Sequence, residues 1–240
     1  MSDIRIPVWL LPLVLLMFCS CDEGRIYDEE VVAVEKGGVV RFRAGLTGPE
    51  SWTEDYTLAV AGFADDSEYA LISKNIESAI TADGRCDLIM TGIPENVSSI
   101  ELCALDRLRR RVAVFASAAY RVSPDTVFID SETVNVSMAH AIQQEILNTT
   151  CVQCHGRSNF VAAGLDLTEA KSFASLVAVP SVKMSGLNRI EPGHSDRSVF
   201  YMILSGDCSS GWSYDHSVEV IRQEKLELIK NWIEGGADPR

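Results

Sequence analysis

Cys151-Val152-Gln153-Cys154-His155 is the stretch whose residue types and spacing define a chemistry by themselves. Two thiols separated by two residues and followed at once by an imidazole form the attachment signature of c-type haem. The thiols add across the two haem vinyl groups as thioethers, and the two intervening residues match their spacing to the porphyrin edge. His155 then lies against the iron as proximal ligand. Imidazole suits iron, and covalent links hold the group without a large enclosing pocket. The expected cofactor is one covalently attached haem c, held by Cys151, Cys154 and His155. Other chemistries use these residue types less well. A structural zinc ion needs four ligands, and no second C-x-x-C is present to complete the set. A thioredoxin-like pair needs a βαβ context, whereas a helical stretch precedes Cys151 and loops follow His155. A haem-ligating histidine is also expected to donate its second ring N–H to a carbonyl, which fixes its orientation; the sequence does not identify that carbonyl.

From about Met138 to Ala237 the chain resembles the planctomycete-type cytochrome c family found in bacterial lipoproteins. The matching pieces are Cys151–Gly156, then Gly164-Leu165-Asp166-Leu167, then Pro192-Gly193 with Ser198, then Ile229 to Ala237. The resemblance implies a compact, mainly α-helical cytochrome c domain whose first and last helices pack across each other, and a role as electron carrier. The chain departs from the family at one place. The family supplies its distal ligand from a Met-Pro shortly before the tryptophan of the last helix, but no Met lies between Ile203 and Trp232 here. His216 stands at about that place, sixteen residues before Trp232. His216 is therefore the expected sixth ligand, with Met202, Met184 and His194 as competitors and an open site as a further alternative. Met202 sits in the apolar run from Val199 to Leu204, His194 follows Pro192-Gly193 in a surface turn, and His140 lies near the start of the first helix, facing solvent. A Met/His pair raises the potential, so histidine in place of methionine lowers it. A filled sixth position favours electron transfer, and an open one permits peroxide or gas chemistry.

Two kinds of element must position these residues. Up to about residue 137, apolar and polar residues alternate as in strands: Tyr56, Leu58 and Val60; Ile100, Leu102 and Ala104; Val112, Val114 and Ala116. Gly37-Gly38 and Asp83-Gly84 mark turns, with Val31–Val34 as a strand before the first. Seven or eight short strands predict an immunoglobulin-like β-sandwich over 31–137. After Ser137 the period is helical, with Met138, Ile142 and Ile146 on one face and Leu226, Ile229 and Ile233 on another. Gly235-Gly236 ends the last helix. The predicted fold is thus multidomain, β followed by α, with the β-sandwich preceding a mainly α-helical cytochrome c domain over 138–240. The sandwich serves as spacer or docking module, and its ligand is not legible. Cys86 and Cys103 face each other across a hairpin at Pro94-Glu95-Asn96 or stay separate buried thiols; in an oxidising compartment the first geometry gives a disulfide. Cys208 is either a buried thiol or a partner for one of them. Arg107, Arg109, Arg110 and Arg111 read as a solvated turn or an edge guard.

The first residues read as targeting. Ile4 to Phe18 is apolar apart from Arg5, with Pro7 and Pro12 within it, and falls short of the roughly 20 residues a spanning helix needs. A basic residue, an apolar run and then small polar residues are the layout of a secretory signal. Leu16 to Asp22 resembles a bacterial lipobox with Cys21 as the lipidated residue, although Phe18 and Cys19 depart from the common pattern. Residues 1–21 are then a lipoprotein signal peptide and 22–30 an acidic tether. More than one acyl chain is needed for a stable anchor. The expected location is the bacterial cell envelope, lipid-anchored to the outer membrane and either periplasmic or surface-exposed. Net charge is −13, with 21 acidic and 11 basic residues over 22–137 against 12 and 9 over 138–240. An acidic surface repels phosphate backbones, so nucleic acid is excluded as a partner; the expected partners are a redox protein and, through the lipid, a membrane. No catalytic constellation stands out, so the expectation is a carrier and not an enzyme. The competing expectations are a haem sensor or peroxidase-like enzyme with an open sixth site, and a surface-binding lipoprotein acting through its β-domain.

Overall fold

Residues 37–156, 161–208 and 211–240 are described by a computed structural model. The signal segment, Cys21, the acidic tether and the strand at 31–34 lie outside the described residues. Alternation sets the first half. In β1 (Gly38–Thr47), Val40, Phe42, Ala44 and Leu46 turn inward, while Arg41 and Arg43 turn outward. Those arginines make two-pronged bonds to Asp87 and Asp130 on the neighbouring strands. β1 pairs antiparallel with β4 (Arg85–Ile93) and parallel with β7 (Val127–Asn135), giving a three-stranded sheet. β2 (Tyr56–Phe63), β3 (Ile72–Asn75), β5 (Ser99–Asp106) and β6 (Arg111–Ala119) form the second sheet, in the order β3-β2-β5-β6. Leu58, Val60, Ile100 and Leu102 from this sheet join Val40, Phe42, Leu88 and Met90 from the other in one buried core.

Cys86 and Cys103 are separate buried thiols, and no disulfide joins them. The turn at 94–98 does not close a hairpin, because β4 pairs with β1 while β5 pairs with β2 and β6. The chain crosses between sheets there. Cys86 then faces the main core and Cys103 a second cluster with Ala59, Ala61, Phe63 and Leu105. Cys208 is a free thiol too, half-buried with its sulfur 3.3 Å from the Met184 sulfur.

The expectation of a mainly α-helical second half is overturned. Most regular structure is sheet, and the helices are short: α1 (Met138–Ile142), α2 (Val152–His155), α3 (Ser172–Leu176), α4 (Val199–Ser205) and α5 (Gln223–Glu234). Pro180, Pro192 and left-handed glycines at 164, 186, 193, 206 and 211 interrupt the intervening chain, and Gly206 ends α4 as its left-handed cap. α1 runs directly into a wider π-helical stretch, Gln143–Cys151, and that into α2. A π-turn inserts an extra residue per turn and so re-aims the side chains beyond it.

The boundary near residue 137 separates patterns but not cores. Met138, Ile142, Ile146, Leu228, Ile229 and Trp232 are all buried in the cluster that includes Val40 and Phe42, and each large side chain so covered contributes roughly 1.5–3 kcal/mol. α1 and α5 pack on each other and on β6. Polar bonds cross the same seam. Trp52 donates to the Val136 carbonyl at 2.6 Å, Asn231 to the Tyr56 hydroxyl at 3.1 Å, and the Lys225 ammonium to Glu145 at 2.8 Å and the Val112 carbonyl at 2.5 Å. Of the arginine cluster, Arg107 and Arg109 are exposed while Arg110 reaches into this seam. Arg110 pairs with Asp106 and with the buried Glu224 of α5, and Arg111 lies over the Phe63 ring while bonded to Glu101. Among the described residues no helix is long and apolar enough to cross a membrane.

Candidate functional site

Ser137 begins the presentation of the Cys-His motif by accepting the His140 N–H and so starting α1. The π-stretch then carries Cys151 to a half-buried position, while Cys154 in α2 is exposed. Burial pushes the Cys151 thiol up to about 12, with the Glu219 carboxylate and Cys154 adding to the effect. Such a thiol is protonated at neutral pH, the opposite of the low-pKa cysteine of a redox pair.

His155 is held at two points. Its backbone carbonyl accepts the Leu167 N–H at 2.6 Å, and its Nδ1 lies 3.1 Å from the Ala162 carbonyl. Ala162 supplies the carbonyl that sequence could not name. It comes within reach because Ala163 and Gly164 both adopt left-handed backbone, at φ 53° and 62°, which folds the chain back on the ring. Asp166 then stabilises the return by accepting from the Thr168 N–H and hydroxyl and from Lys171. The Leu167 side chain is buried, and its carbonyl accepts from Gln143, whose amide oxygen accepts from Ser172. With Nδ1 engaged, Nε2 is the ring nitrogen left for a ligand role. Burial lowers the basicity of His155, the Ala162 carbonyl opposes that, and the His216 imidazole adds to it.

His216 is brought opposite His155, with ring centres 6.4 Å apart and planes at 32°. Two imidazoles on opposite sides of one metal ion, each through a bond of about 2.0–2.1 Å with its ring centre about 1.1 Å beyond, have centres about 6.2–6.4 Å apart. The residues therefore fit a group carrying one metal ion between them. His216 Nδ1 is buried without a hydrogen-bond partner, so this imidazole is not tied up in the protein's own network. Trp212 and Tyr214 meet its ring edge-on at 5.8 and 5.1 Å, and Tyr214 bonds to Glu219. Asp215 caps the short turn His216–Val218 by accepting the Ser217 N–H. Among the described residues no group of three or more His, Cys, Asp or Glu is placed to share a metal ion.

The competitors have separate places, and the helix that carries Met202 packs on the turn that carries His216. Met184 contacts Cys208, Met202 is half-buried on α4, His194 is exposed at the turn before Ser195–Arg197, and His140 is half-buried on α1. Two clefts, of about 340 and 550 Å³, flank the turn at Pro49–Ser51 and share no lining residue with the histidine pair. Sequence reasoning missed Ala162, Ala163, Gln143 and Glu219. Only Gly164 announced the left-handed turn; alanine carries no such signal. No family model and no curated protein matches the chain.

Proposed function

We propose that the chain is a mono-haem c protein that carries single electrons at a bacterial envelope, anchored to the outer membrane by lipid on Cys21. The observation that carries this reading is the pairing of His155 with His216 beside Cys151 and Cys154. When bound, the haem supplies a one-electron iron couple. Cys151 and Cys154 would hold it through thioethers, and His155 and His216 would both ligate its metal, leaving no open position for exogenous ligands and so favouring electron transfer over peroxide or gas chemistry. The Ala162 carbonyl holds the His155 ring in one orientation, and Trp212 with Tyr214 holds His216. Ligands fixed before the electron arrives need little rearrangement when it does.

The test is the spectrum of the denatured, reduced protein in alkaline pyridine, after export in a host that attaches haem c. The expected α-band is that of haem with both vinyls saturated, lost when Cys151 and Cys154 are both changed to alanine. Absence of that band, in a host that matures a control cytochrome, overturns the reading. The native spectrum is expected to lack a methionine–iron charge-transfer band. A second reading, binding through the β-sandwich, draws on the 550 Å³ cleft lined by Trp52, Tyr56, Asn75 and Glu77; ligand binding that survives the double alanine variant supports it.

A further inference from the structure

The strip that carries His216 has a composition of its own. Over 211–221 it holds Asp215 and Glu219 and no lysine or arginine. Three large apolar side chains on it stand in solvent: Tyr214 at 51%, Val218 at 56% and Ile221 at 82% exposure. Scattered surface apolar residues need no explanation, but a cluster rimmed by charge marks a contact surface. The strip is anchored, since Val220 is buried in the core and Asp215 caps the turn. Tyr214 and Val218 lie two residues either side of His216, and the Tyr214 ring touches the His216 ring edge. The His216 ring faces the His155 ring at 6.4 Å, so the strip stands beside the Cys-His motif as well.

We infer that Tyr214, Val218 and Ile221 form the docking surface for a redox protein whose own cofactor edge is apolar and ringed by lysine or arginine. This rests on the haem reading above. Charge complementarity selects the partner. The strip is acidic within a chain of net charge −13, so a basic rim is attracted at long range and an acidic one repelled. The apolar residues supply a small, quickly released contact, the low end of interface sizes that transient redox encounters use. One electron passes between the two iron centres, one oxidised and the other reduced; no bond is made or broken and no proton moves.

The experiment titrates the oxidised, isotope-labelled holo-protein with a lysine-ringed c-type cytochrome of high isoelectric point and follows amide chemical shifts. The expected shifts concentrate at Tyr214, Val218 and Ile221, and affinity falls at least about tenfold between roughly 10 and 300 mM salt as screening shortens. Val218→Lys with Ile221→Lys is expected to weaken binding about tenfold. Phe128→Lys, a charge change on the outer face of the three-stranded sheet, is expected to weaken it less than about twofold. Shifts mapping elsewhere, or equal weakening by Phe128→Lys, overturn the docking surface even where the pyridine spectrum shows haem. A missing haem band overturns the haem reading and, with it, the redox role of this surface, wherever the shifts map.

Discussion

The imidazoles of His155 and His216, sixty-one residues apart in sequence, stand with ring centres 6.4 Å apart. That relationship makes ligand exchange the sharpest test of the site. His216→Met is expected to raise the midpoint potential by at least about 100 mV, within the roughly 0.8 V that axial ligands span. It should also bring in a methionine–iron charge-transfer band. His216→Ala should leave haem attachment intact and let added imidazole or carbon monoxide bind the ferrous protein. Redox titration with optical monitoring reads both. Unchanged spectra in both variants would show that the sixth ligand is another residue.

Ala163 predicts a gain. Its φ of 53° places an L-residue in left-handed backbone, at a cost of about 1–2 kcal/mol that glycine avoids. Glycine loses more freedom on folding, so Ala163→Gly is expected to stabilise by about 0.5–1 kcal/mol. Ala163→Val should destabilise and loosen the bond between Ala162 and His155. Urea unfolding measures the stabilities, and the ligand-field bands of the loaded protein report the ring.

His216 and Ala163 also mark how far sequence can see. The Cys-His motif stands out because its residue types and spacing match a haem-attachment signature, and the resemblance points to His216, whose ring the fold places opposite His155. The strands follow from alternation, since a residue turned into a sheet core must be apolar. Cross-chain pairing is not legible: the turn near Pro94 reads as a hairpin equally well whether β4 and β5 pair or part, so the spacing alone sets Cys86 and Cys103 too close. The apolar spacing after Ser137 is real, but it does not tell long helices from short ones joined by loops. Every buried face needs a partner, and here the β-sheet supplies what longer helices would have.

Lys225 joins α5 to the stretch that carries Cys151. Its side chain is 13% exposed and its ammonium bonds both Glu145 and the Val112 carbonyl, while the second Glu145 oxygen accepts from the Val114 N–H. Lys225→Met leaves a partly covered carboxylate without its cation, and is expected to cost about 2–3 kcal/mol in urea unfolding. Glu145→Gln added to that variant removes the stranded charge and should recover part of the loss. Additive losses would show that the two side chains do not interact.

Cys103 is fully buried, and burial raises its thiol pKa far above the ordinary value, with Glu101 adding to the rise. Little reactive thiolate exists at neutral pH. Cys103 in the native protein is therefore expected to resist alkylation at least about tenfold longer than the half-buried Cys208. Cleavage after Glu95 and Glu101 following denaturation and alkylation should find Cys86 and Cys103 alkylated on separate peptides. A bridged peptide joining them would contradict the sheet pairing.

Acid should release the turn behind His155 before it unfolds the core. The Asp166 carboxyl is held at about 2 by hydrogen bonds from the Thr168 hydroxyl, Lys171 and the Thr168 N–H. An unfolded aspartate titrates near about 3.9. Because the folded value is the lower one, the contribution of this carboxylate is complete above about pH 4 and is lost as pH falls from there through about 2. Asp238, held at about 2 by Arg240, follows the same sign, as do the lowered carboxyls of Asp83, Asp87, Asp130, Asp215 and Glu224, so the share of Asp166 must be separated by mutation. Asp166→Asn should flatten the fall in urea midpoint between about pH 4.5 and 2.5 relative to wild type. It should also remove any loss of the His155 signature over that range, because the turn no longer depends on the charge. Asp238→Asn should flatten the stability curve alone and leave the spectral change in place. A spectral change that persists in Asp166→Asn would assign the acid sensitivity to another group.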